Sequence, residues 1–420
     1  MDLGTIHTEW MQRYRTRTDL ALEAREVIIQ HEGPPEIPGV AVETERTPVA
    51  VISRVAITTE EGARAMGKLP GNYTTIEAPG LRRRDQDALD QVAQMIGKEI
   101  EKFLDLWKIP ADGEVLVVGL GNWNATPDAV GPRTIHHLIV TRHFYYSAPP
   151  AARTGARPVA GISPGVLGIT GLETAEIVQG VVRQIHPALV ICIDALAARS
   201  VERLGTTVQI ADAGIQPGSG VGNKRFGITR QTLGVPVLAV GVPTVVHALT
   251  VVADGLDRMA AHERGAAQNV SIGPPPAGAG PAVGSATVPG AGGGTGPAPS
   301  GTGGGMPLPD PRWILQSGAG STGPTAPPPG AVTPMASPAG RQAASMGPGP
   351  AAAQPAAAAQ RAVLEEVLGP YMGDLIMTPK EIDVLVEDVA EMLAEGLNQG
   401  LHPDLDLNRL ILAATGAGQG

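Results

Sequence analysis

Between residues 86 and 109 apolar side chains recur at helical spacing. Leu89, Val92, Ala93, Ile96, Ile100, Phe103, Leu104 and Trp107 fall on one stripe, which predicts a long amphipathic helix. Beyond it come short runs that are apolar on both faces: "EVLVVGLG", "RPVAGI", "ALVICID", "TVQIAD" and "PVLAVGV". Helical patterns return between several of them, as in "TAEIVQGVVRQIH", where Ile177, Val178, Val181, Val182 and Ile185 share a face. Strands without a polar face, separated by helices, predict an α/β fold whose mostly parallel sheet is covered by helices on both faces. A last stripe, Ile382, Leu385, Val386, Val389, Met392 and Leu393, lies in "TPKEIDVLVEDVAEMLAEGL". There Thr378 reads as the N-cap, Pro379 as the first helical residue and Glu381 as the close of a capping box. This helix needs a partner surface, which the main domain is expected to supply.

Residues 265–360 follow none of these patterns. They read "GPPPAGAGPAVGSATVPGAGGGTGPAPSGTGGG" and more of the same, nearly uncharged and without a large apolar set. Such a stretch cannot offset its ordering entropy by burial, so it is expected to be a disordered linker. The domain scheme that results is an α/β body to residue 264, a linker at 265–360 and a C-terminal helical segment at 361–420. The net charge of -10 argues against direct nucleic-acid binding, which needs a basic surface. Cys192 is the single cysteine, so no intrachain disulfide forms. Neither a signal pattern nor an uninterrupted membrane-spanning run is visible, and the expectation is a cytoplasmic protein without membrane contact.

"VLVVGLGNWNATPDAVGPR", from Val115 to Arg133, enters a glycine turn of the kind that often holds phosphate. Here Asn124 takes the third glycine's place in G-x-G-x-x-G. "GSGVGNKR", from Gly218 to Arg225, has Asn223 where a P-loop has its last glycine and Arg225 in place of Ser or Thr. The glycines therefore read as permitting close backbone approach. Gly119, Gly121, Asn122, Gly218, Gly220 and Gly222 are candidates for a substrate loop, with Lys224 to attract an acidic chain. Two acids fall beyond the carboxyl ends of predicted strands, where α/β sheets bind ligands. Asp128 follows "VLVVGLG", and Asp194 ends "ALVICID" and opens a predicted helix, "ALAARSVERL". On spacing alone Asp194 reads equally well as an N-cap, and Asp128 more readily as a turn residue after Pro127. A carboxylate after "ALVICI" is nonetheless poorly solvated, which suits it to acid–base work. His136, His137 and His143 lack metal-ligand spacing, His247 reads as a core histidine in a helical stretch, and Cys192 as inert packing. No metal or cofactor is expected.

Taken together, "RTDLALEA", "VVGLGNWNATPDAVGP", "GITGLETAEIV", "IDALAARSVERL", "IQPGSGVGNKR" and "VPTVVHAL" resemble the germination protease family of spore-forming bacteria. The resemblance runs from about Tyr14 to Arg258 and from Arg361 to about His402, and the linker matches nothing in it. It implies an atypical aspartic endopeptidase that degrades small acid-soluble spore proteins in the spore core as germination starts. It also implies an inactive precursor trimmed at its N-terminus and a homotetramer. The family's two essential aspartates fall on Asp128 and Asp194. Wider similarity to hydrogenase maturation endopeptidases implies a related fold. Those enzymes hold a metal with two acids and a histidine, and "ADAGIQPGSGVGNKR" has no histidine. The family's substrates are cut in sequences of the type T-E-F/I-A-S-E, which Thr18, Asp19, Leu20, Ala21 and Glu23 reproduce in outline. Residues 1–19 are therefore an expected prosegment, cut between Asp19 and Leu20, held by Arg13, Arg15 and Arg17 and loosened by mild acid. On local pattern alone the same residues are an ordinary helix start. A metal-dependent processing peptidase and a non-catalytic binding protein on the same scaffold are the alternative readings.

Overall fold

The structure, a computed structural model, describes residues 18–32, 36–216, 227–252, 255, 259, 367 and 375–415. The predicted linker, Gly218, Gly220, Gly222 and Lys224, and residues 1–17 lie outside them. Among the described residues nine strands form one sheet: β1 (Val40–Arg46), β2 (Val51–Ile57), β3 (Gly71–Glu77), β4 (Val115–Gly119), β5 (Val159–Ile162), β6 (Leu189–Ala198), β7 (Thr207–Ala211), β8 (Val237–His247) and β9 (Ile376–Met377). Their order is β1-β2-β3-β7-β8-β6-β4-β5, with β9 paired to β8. The helices are α1 (Ala21–Glu32), α2 (Glu60–Met66), α3 (Gln86–Leu106), α4 (Val130–His137), α5 (Arg142–Ser147), α6 (Leu167–Thr170), α7 (Thr174–Ile185), α8 (Arg230–Leu233), α9 (Ile382–Leu401) and α10 (Leu407–Thr415). No helix among the described residues is long and apolar enough to cross a membrane.

All five apolar runs form strands, but the sheet is mixed, not mostly parallel. β8, β6, β4 and β5 are parallel neighbours. β1, β2, β3 and β7 form an antiparallel half, and β7 also runs against β8. The link from β6 to β7, residues 199–206, contains only a short 3-10 turn at Val201–Arg203. A parallel return needs a crossover of a dozen or more residues, so β7 runs the other way.

Both faces of the parallel half of the sheet are covered. Along β6, Leu189, Ile191 and Ile193 join the cluster that includes Val92, Ile96 and Ile100 of α3 and Val389, Leu393 and Leu397 of α9. The alternate residues Val190 and Cys192 pack with Val178 and Val182 of α7 on the opposite face. α3 and α9 cross at small residues. A Cβ on Gly396 would lie 2.8 Å from Ala93 O, and one on Gly400 would lie 2.8 Å from Gly97 O. The C-terminal segment is thereby fastened to the body, and Arg84 reinforces it with a paired contact to Asp388 at 2.6 and 3.0 Å.

Two local expectations are overturned. α9 begins at Ile382 without a side-chain cap, because Thr378 Oγ1 donates instead to Thr244 O at 2.9 Å, next to the β8–β9 pairing. His247 is buried, as a core histidine should be, but it ends strand β8. The run "PTVVH" is rich in β-branched residues, which favour the pleated strand over a helix.

Candidate functional site

The site is set by where two neighbouring strands part. β4 ends at Gly119, level with Ile193 of β6, and Leu120 N donates to Ile193 O at 2.8 Å. The next residue on β6 is Asp194, which has Gly241 of β8 on its other side. From β4 the chain goes to β5 at the sheet edge, and from β6 it goes to β7 beyond β8. Neighbouring strands whose connections diverge leave a crevice at their carboxyl ends, the usual ligand position in α/β sheets.

Asp128 enters this region on a 3-10 turn, Thr126–Asp128. Asn122 N donates to Asp128 Oδ2 at 2.8 Å and to Asp128 O at 3.1 Å, and Asp128 N donates to Ala125 O at 2.7 Å. Gly121 makes this closure feasible. Its φ is +112° and a Cβ there would lie 2.0 Å from Asp128 O. A Cβ on Gly119 would lie 2.3 Å from Gly131 O, and one on Gly131 the same 2.3 Å from Leu120 O. These glycines thus bring backbone against backbone and fold the loop around the aspartate. Thr244 Oγ1, buried in β8, donates to Pro127 O at 2.7 Å and pins the turn from the other side. The Asp128 carboxylate is half-buried.

Asp194 is in a different environment. It does not open a helix: β6 continues through it to Ala198, paired with β8. "ALAARSVERL" has good helix formers, but pairing with the long strand β8 overrides that propensity. Asp194 is 7% exposed and accepts Ala195 N at 2.9 Å through Oδ1. Burial holds its carboxyl well above the usual carboxylate range. The nearby charges of Asp128 and Asp19 push the same way, against a weaker pull from the Ala195 amide. The Asp194 carboxyl thus feels the charge of Asp128, and the two acids sit in unlike surroundings.

A third acid comes close from the N-terminal side. Asp19 N donates to Ala197 O at 2.9 Å, and Ala197 N donates to Asp19 Oδ2 at 2.8 Å. Leu20 is fully buried against Leu196, Ala198, Leu204 and Val246. Ala21 N donates to Gln209 Oε1 at 2.7 Å, and Gln209 Nε2 to Asp19 O at 3.0 Å. Half-buried Lys68 reaches Thr18 O at 2.8 Å. Burial lowers its ammonium's proton affinity, and the charges of Asp19 and Glu23 oppose this. The Asp19–Leu20 bond is thus docked along the strand that carries Asp194. Lys68, Gln209 and Thr244 were not singled out from the sequence. The polar residue inside an apolar run, in "TVQIAD" and "VGVPTVVH", was the available signal for the last two.

Among the described residues, one group of His and acidic side chains places its ligating atoms close enough for a single ion: His137, Glu387 and Glu391. It lies at the far end of α4 and includes neither aspartate of the crevice. Both oxygens of Glu387 are engaged, with His137 Nε2 at 2.8 Å and with Arg133, and these neighbours hold it below the usual carboxylate range. Cys192 is buried in β6, and burial pushes its thiol up, away from reactivity.

Comparison with known proteins gives the family. A family model described as germination protease matches residues 21–270 and 353–411, passing over 271–352 within the predicted linker. The chain is 38% identical over 402 residues to the germination protease of Geobacillus sp. (strain WCH70), covering 94% of this chain and 96% of that protein. It is 39% identical over 400 residues to that of Caldanaerobacter subterraneus subsp. tengcongensis, covering 94% and 98%. With that of Bacillus subtilis (strain 168) the identity is 39% over 394 residues, covering 93% and 95%. Agreement of this extent along almost the whole of both chains shows that the chain belongs to the germination protease family and is a peptidase.

Proposed function

We propose that the protein is an endopeptidase that starts the breakdown of small acid-soluble spore proteins in the spore core, using Asp128 and Asp194 to direct water at the peptide bond. The observation that carries this reading is a deeply buried carboxyl, Asp194, that feels the charge of half-buried Asp128 where β4 and β6 part. Burial and the neighbouring charges raise the proton affinity of Asp194, which suits it to the acid's part. Asp128 accepts the Asn122 amide at Oδ2, a contact that suits the carboxylate form. Asp128 then takes a proton from the attacking water, while Asp194 gives its proton to the scissile carbonyl oxygen. Collapse of the tetrahedral intermediate returns a proton to the leaving amine. Metal is not required in this scheme, and assembly as a homotetramer is part of the proposal.

The same reading makes the full-length chain a precursor cut by itself between Asp19 and Leu20. Support comes from the docking of that bond along the strand of Asp194, with Asp19 paired to Ala197, and from Asp19's charge reaching the Asp194 carboxyl. The experiment is incubation with a purified small acid-soluble spore protein, with and without a chelator, followed by mass spectrometry of all fragments. Expected are a few defined cuts in the spore protein, a new terminus at Leu20 and indifference to the chelator. No cleavage would overturn the reading, and activity abolished by chelation would favour the metal-dependent alternative.

A further inference from the structure

The proposed mechanism makes no use of Glu23, although it is the most heavily engaged buried acid near the docked segment. Its side chain is 2% exposed. Oε2 accepts Arg199 N at 2.7 Å, and Oε1 accepts Ser200 N at 3.0 Å with Arg203 Nη1 at 3.2 Å. Thr18 Oγ1 also donates to Oε2 and in turn accepts Leu20 N at 3.1 Å. Leu20 immediately precedes α1 and Glu23 is the helix's third residue. In a capping box the acid at that third position reaches straight back to the N–H of the residue before the helix. Here the Thr18 hydroxyl stands between the two.

We infer that Glu23 is the acceptor for the N-terminus created when the chain is cut, a step that rests on the proposed cleavage between Asp19 and Leu20. Hydrolysis breaks the Asp19 C–N bond, places the water oxygen on the Asp19 carboxyl and leaves Leu20 with a free amine that takes up a proton. Thr18 departs with the released segment and vacates an acceptor position on Glu23 Oε2. The contacts that hold Leu20 in place belong to residues that stay: its side chain among Leu196, Ala198, Leu204 and Val246, and Ala21 N on Gln209 Oε1. An ammonium at this point faces the positive end of the α1 dipole and is largely removed from water, so it needs a carboxylate partner. Arg203 is shared among Glu23, Glu26 and Glu77, which leaves Glu23 able to accept a further cation. The same carboxylate grips Arg199 N and Ser200 N, where the chain leaves β6. Glu23 is therefore a positioning residue. It exchanges a prosegment hydroxyl for the mature chain's own ammonium and keeps the strand of Asp194 anchored throughout.

The test uses two chains released from a removable N-terminal fusion, one starting at Leu20 and one with a single Gly ahead of it. Each is made with Glu23 and with Glu23→Gln, and unfolding rate and kcat on a spore-protein substrate are measured. Hydrogen bonds to charged groups imply that the extra Gly speeds unfolding about tenfold in the Glu23 background. kcat should fall with it, and the Gly should have no effect in the Gln background. Equal effects in both backgrounds, or none in either, would overturn the inference. Should the Gln variants not fold, acylation of the terminal amine at neutral pH decides with Glu23 intact. The Leu20 amine should react about tenfold more slowly than the Gly amine, and equal rates would refute the pairing. Mass spectrometry of the naturally processed chain separates the two levels. A terminus other than Leu20 removes the cleavage reading and this inference together, whereas a Leu20 terminus without coupling removes the inference alone.

Discussion

Asp128 is carried by a turn and Asp194 by the interior of a strand, and the contrast accounts for what each can do. The turn is closed by backbone contacts at Gly119, Gly121 and Gly131, and it leaves its carboxylate half-buried with an amide donor on Oδ2. The strand takes its carboxyl out of water between β8 and the end of β4 and supplies one amide. The two supports thus give identical side chains unlike surroundings, and burial raises the proton affinity of Asp194. On the account given above, the buried one is the acid and the looped one the base.

Removing either carboxyl should have the largest effect. Asp128→Asn and Asp194→Asn should each lower kcat by about 10³-fold or more, the double variant little further, since the pair acts as a unit. The contrast sharpens in stability. The folded pKa of Asp194 lies above its unfolded value, so its contribution is intact below about pH 4 and is lost as pH rises towards the folded value. Asn cannot ionise and escapes that loss. Asp194→Asn should therefore melt higher than the parent at neutral pH and level with it in acid, whereas Asp128→Asn should show a smaller gain or none. Thermal melts across pH check this, and a neutral-pH loss of stability in Asp194→Asn would break the comparison.

Gly121→Ala comes next. An added Cβ would lie 2.0 Å from Asp128 O at a φ of +112°, so the turn must move. A displacement of about 1 Å at a catalytic group costs about 10²-fold, and kcat should fall by that order while the fold survives. Thr244→Val removes the hydroxyl on Pro127 O. It should cost about 1 kcal/mol of stability, read from denaturant melts, and about fivefold in kcat. The smallest effect is expected from deleting residues 273–354, whose composition offers neither core nor chemistry; near-parental cleavage rates would bear this out.

The parallel half of the sheet was legible because its strands are apolar throughout, as "VLVV" and "ALVICI" announce. β1 was not, because six of its seven residues are exposed and it reads as polar chain. Strand direction was hidden as well, since nothing in "TVQIAD" says that β7 runs against β8. Asp128 and Asp194 stood out as acids after apolar runs. That Asp194 continues a strand was obscured by the helix-forming residues after it, whose conformation is decided by pairing with β8. The capping role read into Thr378 failed for a related reason, because the hydroxyl found a tertiary partner in Thr244 O. Contacts between distant segments, such as Lys68 on Thr18 O and Gln209 on Asp19 O, leave almost no local trace.

The central claim is that Asp194 holds a proton at neutral pH while Asp128 does not. Infrared difference spectra of the wild-type protein against each Asn variant at neutral pH test it directly. Expected is a carboxylic-acid carbonyl band that disappears in Asp194→Asn and persists in Asp128→Asn, because burial is the largest cause of the raised affinity of Asp194. A spectrum without such a band, or one in which it vanishes with Asp128→Asn and survives Asp194→Asn, would contradict the assignment.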